Sequence, residues 1–252
     1  MQTMTNEPSQ PVKPASAANG NDSFHQQREL LHRQMLSAVS HDLKTPLASV
    51  IGSLEIFQRM GSKLSEEKRE TLIETALGEA HRLDNFLTNI LDMAKLEADQ
   101  VPVRIEPSDI RALLETAVGS VSTRFGKASM SIHGAAHIMG NLDPALFSRV
   151  ISLILDNAVK HAGAAAKIDI TYRKNGDDRI IVEISDDGPG IPAGNEEAIF
   201  SKYTRLSRLD HQNAGTGLGL AIARLIAQKL RGRIRAQNQP QGGACFVFEC
   251  AI

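Results

Sequence analysis

Apolar residues recur at steps of three and four through Leu36, Val39, Leu43, Leu47, Val50, Leu54 and Phe57. That spacing predicts one long helix beginning near Phe24, with a single apolar stripe. Gly61-Ser62 is a stop-and-turn signal. Ser65 is suited to cap a second helix, and Glu66 and Glu67 suit its positive end. The second stripe runs through Ile73, Ala76, Ala80, Leu83, Leu87, Ile90 and Ala94, a strict three-four alternation. Two long helices joined by a short turn form a hairpin with a narrow seam to bury. Two such hairpins, one from each of two chains, make a four-helix bundle, so the pattern predicts a homodimer. The alternative is a hairpin lying on the rest of its own chain.

Pro102 and Pro107 interrupt the helical pattern and mark a domain boundary. Beyond it, Ile110–Val121 reads as a helix, Met130–Met139 as extended, and Asp143–His161 as a strongly apolar helix. Ile168–Arg173 alternates as a strand, Asn175-Gly176-Asp177 turns, and Arg179–Ser185 returns. A helix over Leu218–Leu230 and strands near Arg233–Gln237 and Ala244–Ala251 complete the pattern. The reading is multidomain, α and α/β. Residues 1–22 form a polar, disordered lead, 23–101 a helical hairpin, and 102–252 a mixed domain with helices covering a sheet.

Composition narrows the function. The 252 residues carry a formal net charge of −1, aromatics are 4% and Trp is absent. Neither a strongly basic nucleic-acid binder nor a stacking platform for single strands fits. Cys245 and Cys250, separated by an odd number of steps, point to opposite faces of a strand and read as reduced, buried side chains. No apolar run reaches the roughly 18 residues of a membrane span, and Met1–Asp22 lacks a signal-peptide pattern. The expectation is a cytoplasmic chain with no membrane segment.

The first helix holds Ser40-His41-Asp42-Leu43-Lys44-Thr45-Pro46-Leu47. At about 100° per residue His41 lies about 200° from Val39, off the apolar stripe, with Thr45 one turn along the same face. Free imidazole titrates near ~6.5, so a neutral, nucleophilic ring is well populated at neutral pH. A neighbouring carboxylate such as Asp42 can hold the second ring nitrogen and take up its proton. Pro46 inside a helix costs about 3 kcal/mol, an irregularity commoner at working sites. Taken alone, a His-Asp pair is an ordinary surface feature.

Three further segments carry candidate chemistry. Leu153–His161 (LILDNAVKH) places Asp156, Asn157, Lys160 and His161 close together beside an apolar face. An amide oxygen suits magnesium and a Lys one turn on reaches phosphate; a solvated helix face is the plain alternative. Asp186-Asp187-Gly188-Pro189-Gly190-Ile191-Pro192 follows a strand. A carboxylate there can accept from an amino group such as that of adenine, and the glycines allow close backbone approach; the alternative is a simple turn. Gly215-Thr216-Gly217-Leu218-Gly219-Leu220 opens a helix, where backbone N–H groups favour anions. It lacks the Lys-Ser/Thr of a Walker A loop. Between the last two, Ala193–Ala214 has no periodicity and carries Phe200, Lys202, Tyr203 and Arg205, the composition of a lid.

SHDLKTPL resembles the phosphoacceptor box of the sensor histidine kinases, and the hairpin resembles their dimerisation and phosphotransfer domain. The later segments, in this order, resemble the N, G1, F and G2 boxes of the ATP-binding domain shared by histidine kinases, gyrase-type topoisomerases, Hsp90-type chaperones and mismatch-repair ATPases. Together the resemblance covers nearly all of residues 30–252. It implies an α/β sandwich ATP-binding domain of the GHKL type beside the hairpin, with ATP and Mg2+ as cofactors. By resemblance His41 is phosphorylated, Asp42 is the general base, and Thr45 orients water when the partner is dephosphorylated. Asn157 would bind magnesium, Lys160 phosphate and Asp186 adenine. His161, Ile191, Lys202, Tyr203, Arg205, Thr216 and Leu218 would line the nucleotide site, shaped by Gly188, Gly190, Gly215, Gly217 and Gly219. The implied partner is a response-regulator receiver domain. Two positions depart from the family pattern: Leu153 stands where a polar Asn is usual, and Tyr203 where Phe is commoner. Leu153 motivates a second reading, a catalytically weak, phosphatase-dominant or scaffold member. An ATPase of the gyrase or chaperone type is the third, and the His41 hairpin argues against it.

Overall fold

A computed structural model describes residue 40 and residues 42–126, 128–135, 137–163, 165–204 and 217–252. The chain divides into two compact units, residues 1–83 and 84–252.

In the first unit a helix over residues 42–60 (α1) passes through Pro46 and ends in a single 3-10 turn, Gly61–Lys63. The second helix, α2 (Glu66–Glu97), starts as the sequence predicts. Lys68 N donates to Ser65 Oγ at 3.4 Å, so Ser65 caps it. Within the single chain, Ile73, Ala80, Leu87 and Ala94 of the predicted line are exposed, Leu83 and Ile90 are half-buried and Ala76 is buried. The buried positions further along are Phe86, Met93 and Leu96. Both lines step by three and four and share Ala76, Leu83 and Ile90, so periodicity alone does not choose between them. The exposed side carries Leu47, Ile51 and Leu54 on α1 and Ile73, Leu77, Leu87 and Leu91 on α2.

The second unit is a two-layer α/β sandwich. Its sheet has five strands in the order β2-β4-β5-β7-β6. These are β2 (Ser129–Gly134), β4 (Lys167–Lys174), β5 (Arg179–Asp186), β6 (Arg233–Asn238) and β7 (Ala244–Ala251). β2 runs parallel to β4 and the other pairs are antiparallel. Alternation along each strand gives one buried face. Ile168, Ile170, Ile180, Val182, Ile184, Phe246 and Phe248 lie there, all 2% exposed or less. Over it pack α3 (Ile110–Phe125), α4 (Pro144–Ala162) and α5 (Gly219–Lys229). α4 begins where Asp143 accepts from Leu146 N at 2.9 Å, with Pro144 in the first turn. Cys245 and Cys250 are free, buried and on opposite faces of β7.

Pro107, which interrupts the helical pattern in the sequence, sits inside a strand, β1 (Glu106–Asp109), which pairs antiparallel with β3 (Met139–Leu142). A two-stranded ribbon leaves one edge of each strand unpaired, so a missing N–H is tolerated. The stretch read as one extended segment, Met130–Met139, is divided between β2 and β3, which belong to different sheets.

Candidate functional site

The far ends of β5, β6 and β7 meet α4 at one end of the sandwich. The β5 pleat places Asp186 on the buried face at the strand's last residue, 6% exposed. Its Oδ1 accepts from Gly188 N at 2.9 Å and from Ala244 N at 3.2 Å. Both bonds use the same oxygen. Burial pushes the Asp186 carboxyl above the ordinary range; the two amides, and His161 at the end of α4, pull the other way. Asp187 turns aside and accepts from Lys167 N at 2.9 Å.

The loop after Asp186 is threaded tightly. A Cβ on Gly188 would lie 3.0 Å from Ala162 Cα, so the last turn of α4 rests on this glycine. Gly190 has φ +77° and a Cβ there would lie 2.7 Å from Asn238 Oδ1. Ile191 is 9% exposed, and its backbone is bound at both N and O by the Asn238 side chain. Gly243 passes so close to Asp186 that an added Cβ would overlap its carbonyl oxygen. Sequence reasoning missed Asn238, Gly243 and Ala244. The Gly242-Gly243 pair between two strands was the available signal, and it reads as a turn unless its proximity to Asp186 is known.

On α4, Asn157 is half-buried, whereas Lys160 and His161 are exposed. Asp156 does not join them: Arg124 of α3 takes both its oxygens, at 2.9 and 2.8 Å. Leu153, one turn before Asn157, is 6% exposed, and its Cδ2 is 3.7 Å from where a Cβ on Gly219 would stand. Among the described residues, no three His, Cys, Asp or Glu side chains group as metal ligands. Asn157 suits a hard cation that takes its remaining oxygens from phosphate and water.

Phe200 is 3% exposed, edge-on to Phe246 at 6.5 Å. Arg224 of α5 covers it at 4.4 Å and pairs with Glu197 at 2.6 Å. This fixes the start of the lid segment. Tyr203, at φ +60°, donates from its N to Gly217 O at 2.9 Å, and Gly217 at φ +64° has no room for a Cβ beside it. Tyr203 is thus tied to Gly217, and Leu218 is fully buried just before Gly219 opens α5. Lys202 is ion-paired with Glu97. Asp42 is partly exposed and Thr45 exposed on α1. His41, Arg205, Gly215 and Thr216 lie outside the described residues.

Comparison with known proteins bears on this geometry. Residues 31–99 match the His Kinase A (phospho-acceptor) domain. Residues 142–251 match the histidine kinase-, DNA gyrase B- and HSP90-like ATPase. The chain is 34% identical over 223 residues to Sensor protein KdpD of Escherichia coli, covering 87% of this chain and 24% of that protein. It is 30% identical over 226 residues to Adaptive-response sensory kinase SasA of Synechocystis, covering 87% and 59%. The chain thus spans about a quarter of KdpD. Two solved structures share the fold. Acinetobacter baumannii histidine kinase AdeS has TM-score 0.63 and 22% identity, covering 84% of this chain and 97% of that one. Histidine kinase ThkA in complex with response regulator protein TrrA has TM-score 0.67 and 20% identity, covering 95% and 68%.

Proposed function

The chain belongs to the sensor histidine kinases of two-component systems, and we propose that it moves the γ-phosphate of ATP to His41 and then to an aspartate of a response-regulator receiver domain. The observation that carries this reading is the gathering of Asp186, α4 and the Gly217–Gly219 turn at one end of the sandwich, with the SHDLKTPL helix earlier in the same chain.

Asp186 Oδ1 is occupied by two amides, and Oδ2 is available to accept from the adenine amino group. Gly188, Gly190 and Ile191 let the backbone approach the base. Asn157 offers its amide oxygen to Mg2+, and Lys160, His161, Lys202 and Arg205 are the side chains that bind phosphate. Tyr203, Gly215, Thr216, Gly217, Leu218 and Gly219 belong to the same nucleotide-binding set. Bound Mg2+ supplies charge neutralisation on the transferring phosphoryl group. Asp42 holds and deprotonates the His41 ring for in-line attack, and Thr45 orients water in the reverse, dephosphorylating direction. We read residues 23–101 as the dimerisation and phosphotransfer domain and 102–252 as the ATP-binding domain. The exposed apolar residues Leu47, Ile51, Leu54, Ile73, Leu77, Leu87 and Leu91 support a homodimeric bundle. A reaction that uses ATP and a receiver domain supports reading it as cytoplasmic; among the described residues no helix is long and apolar enough to cross a membrane.

Leu153 favours a second reading, in which the chain dephosphorylates or scaffolds its partner and labels itself poorly. Incubating the purified chain with γ-labelled ATP and Mg2+, beside His41→Gln, tests the first. Acid-labile label that disappears in the variant is expected. ATP binding without any label would overturn it in favour of the second.

A further inference from the structure

Arg179 opens β5 and Asp186 closes it, so the two ends of the strand lie about 23 Å apart at ~3.3 Å per residue. At the Arg179 end, Arg179, Arg231, Gly232, Arg233 and Glu249 line an open recess of about 330 Å3. None of these residues has a part in the chemistry above.

Charge in the recess is unbalanced. Glu249 is 4% exposed and is the one acidic side chain in the lining. It accepts from Arg179 Nε at 2.7 Å, from Arg233 Nε at 2.8 Å and Nη2 at 2.7 Å, and from Asn175 Nδ2 at 3.2 Å. Arg179 Nη2 also donates to Arg231 O at 3.2 Å. Two guanidinium groups therefore share one carboxylate, and a third arginine, Arg231, joins them in the lining. The Arg231 guanidinium has no ion pair or hydrogen bond among the described residues, and Arg231 is exposed.

The backbone beneath is also unusual. Gly232 N donates to Ala227 O at 2.8 Å and Arg231 N to Gln228 O at 3.0 Å, the paired bonds that end a helix in a left-handed residue. That residue is Arg231, at φ +52°. Glycine is the ordinary choice there because a Cβ is strained at positive φ. Gly232 itself has no room for a side chain, since a Cβ would meet Glu249 O at 2.1 Å. The chain thus carries a charged side chain at a position whose backbone favours none, beside two further arginines.

We propose that this recess is an anion site taking a phosphate-type oxyanion, free or carried on a small metabolite, bound by Arg231 together with Arg179 and Arg233. A planar guanidinium matches two oxyanion oxygens, and the two arginines that Glu249 fixes are already oriented. A recess of this size sits at the small end of ligand sites and suits a compact anion.

The test uses the whole chain without nucleotide. Inorganic phosphate and pyrophosphate are titrated against chloride at equal ionic strength, followed by phosphorus NMR and by thermal melting. Wild type, Arg231→Gly and Arg231→Lys are compared. Arg231→Gly relieves the left-handed strain, so it should melt higher in chloride while binding phosphate at least tenfold more weakly. Arg231→Lys keeps the charge but not the fork and should bind with an affinity between those of wild type and Arg231→Gly. Phosphate affinity that is equal in wild type and Arg231→Gly would overturn the site, because the ion would then be at the nucleotide end or act only on bulk hydration. Absence of any phosphate binding by wild type would overturn it too.

Discussion

Asn238 of β6 grips the loop after Asp186 with both ends of its amide: Oδ1 accepts from Ile191 N at 2.6 Å and Nδ2 donates to Ile191 O at 2.7 Å. A side chain here does what a neighbouring strand would do, and it holds an irregular loop against the sheet. Truncation to Asn238→Ala leaves both Ile191 groups without that partner, at about 1–3 kcal/mol. If those losses fall on the nucleotide-competent loop, ATP affinity drops about five- to a hundredfold. Titration with a fluorescent ATP analogue measures it. An unchanged affinity would show that the loop keeps its shape without Asn238.

Lys202 is proposed to bind phosphate, and its ammonium pairs with Glu97 in the last turn of α2. The two side chains are 37% and 43% exposed, so the pair itself contributes about 0–1 kcal/mol. Glu97→Gln should therefore raise ATP affinity by up to about fivefold, through loss of a competing partner. Lys202→Ala should lower it and flatten its dependence on salt. Affinities measured across a salt series separate the two. If Lys202→Ala binds as wild type does, Lys202 has no place at the phosphates.

Burial pushes the Asp186 carboxyl upward, so the folded chain holds this proton more tightly than the unfolded one. The nucleotide-free fold consequently loses stability as pH rises from the ordinary carboxylate value through the raised one, and regains it as pH falls. Asp186→Asn keeps an Oδ1 for Gly188 N and Ala244 N but puts an NH2 where the adenine amino group would donate. The variant should be more stable than wild type at neutral pH and bind ATP at least about tenfold more weakly. Urea melts and ATP titrations over a pH series check both halves. Wild-type ATP affinity should also fall on acidification at a higher pH than an unperturbed carboxylate would give.

Much of this site is legible from spacing. The strand Arg179–Ser185 and the apolar helix Asp143–His161 are each found within a residue or two, because one residue class fills one face. What spacing does not reveal is which of two equivalent lines a helix buries. Ala76, Leu83 and Ile90 belong to both lines on α2, and only packing within the chain decides that Phe86 is covered by it while Leu87 is left exposed. Nor does it show which polar groups of one helix work together. Asp156 and Asn157 are adjacent, but Arg124, 32 residues earlier, removes Asp156 from the cluster. Asn238 and Gly243 are invisible for the same reason: their partners are about fifty residues away in the chain.

Leu153 separates the two functional readings. It is 6% exposed on α4, one turn before Asn157 and against Gly219. A leucine there can neither orient water nor hold a proton acceptor, so a kinase working through this position would be slow. Leu153→Asn restores a polar group but buries an amide and removes apolar contact, at about 2–4 kcal/mol of stability. Label incorporated per folded chain is therefore the quantity to compare, with the folded fraction taken from melts. A gain of tenfold or more identifies a kinase held back by Leu153 and supports the phosphatase-dominant reading of the natural chain. Labelling unchanged or lower per folded chain means that the transfer does not use this position, and the wild-type rate alone then assigns the activity.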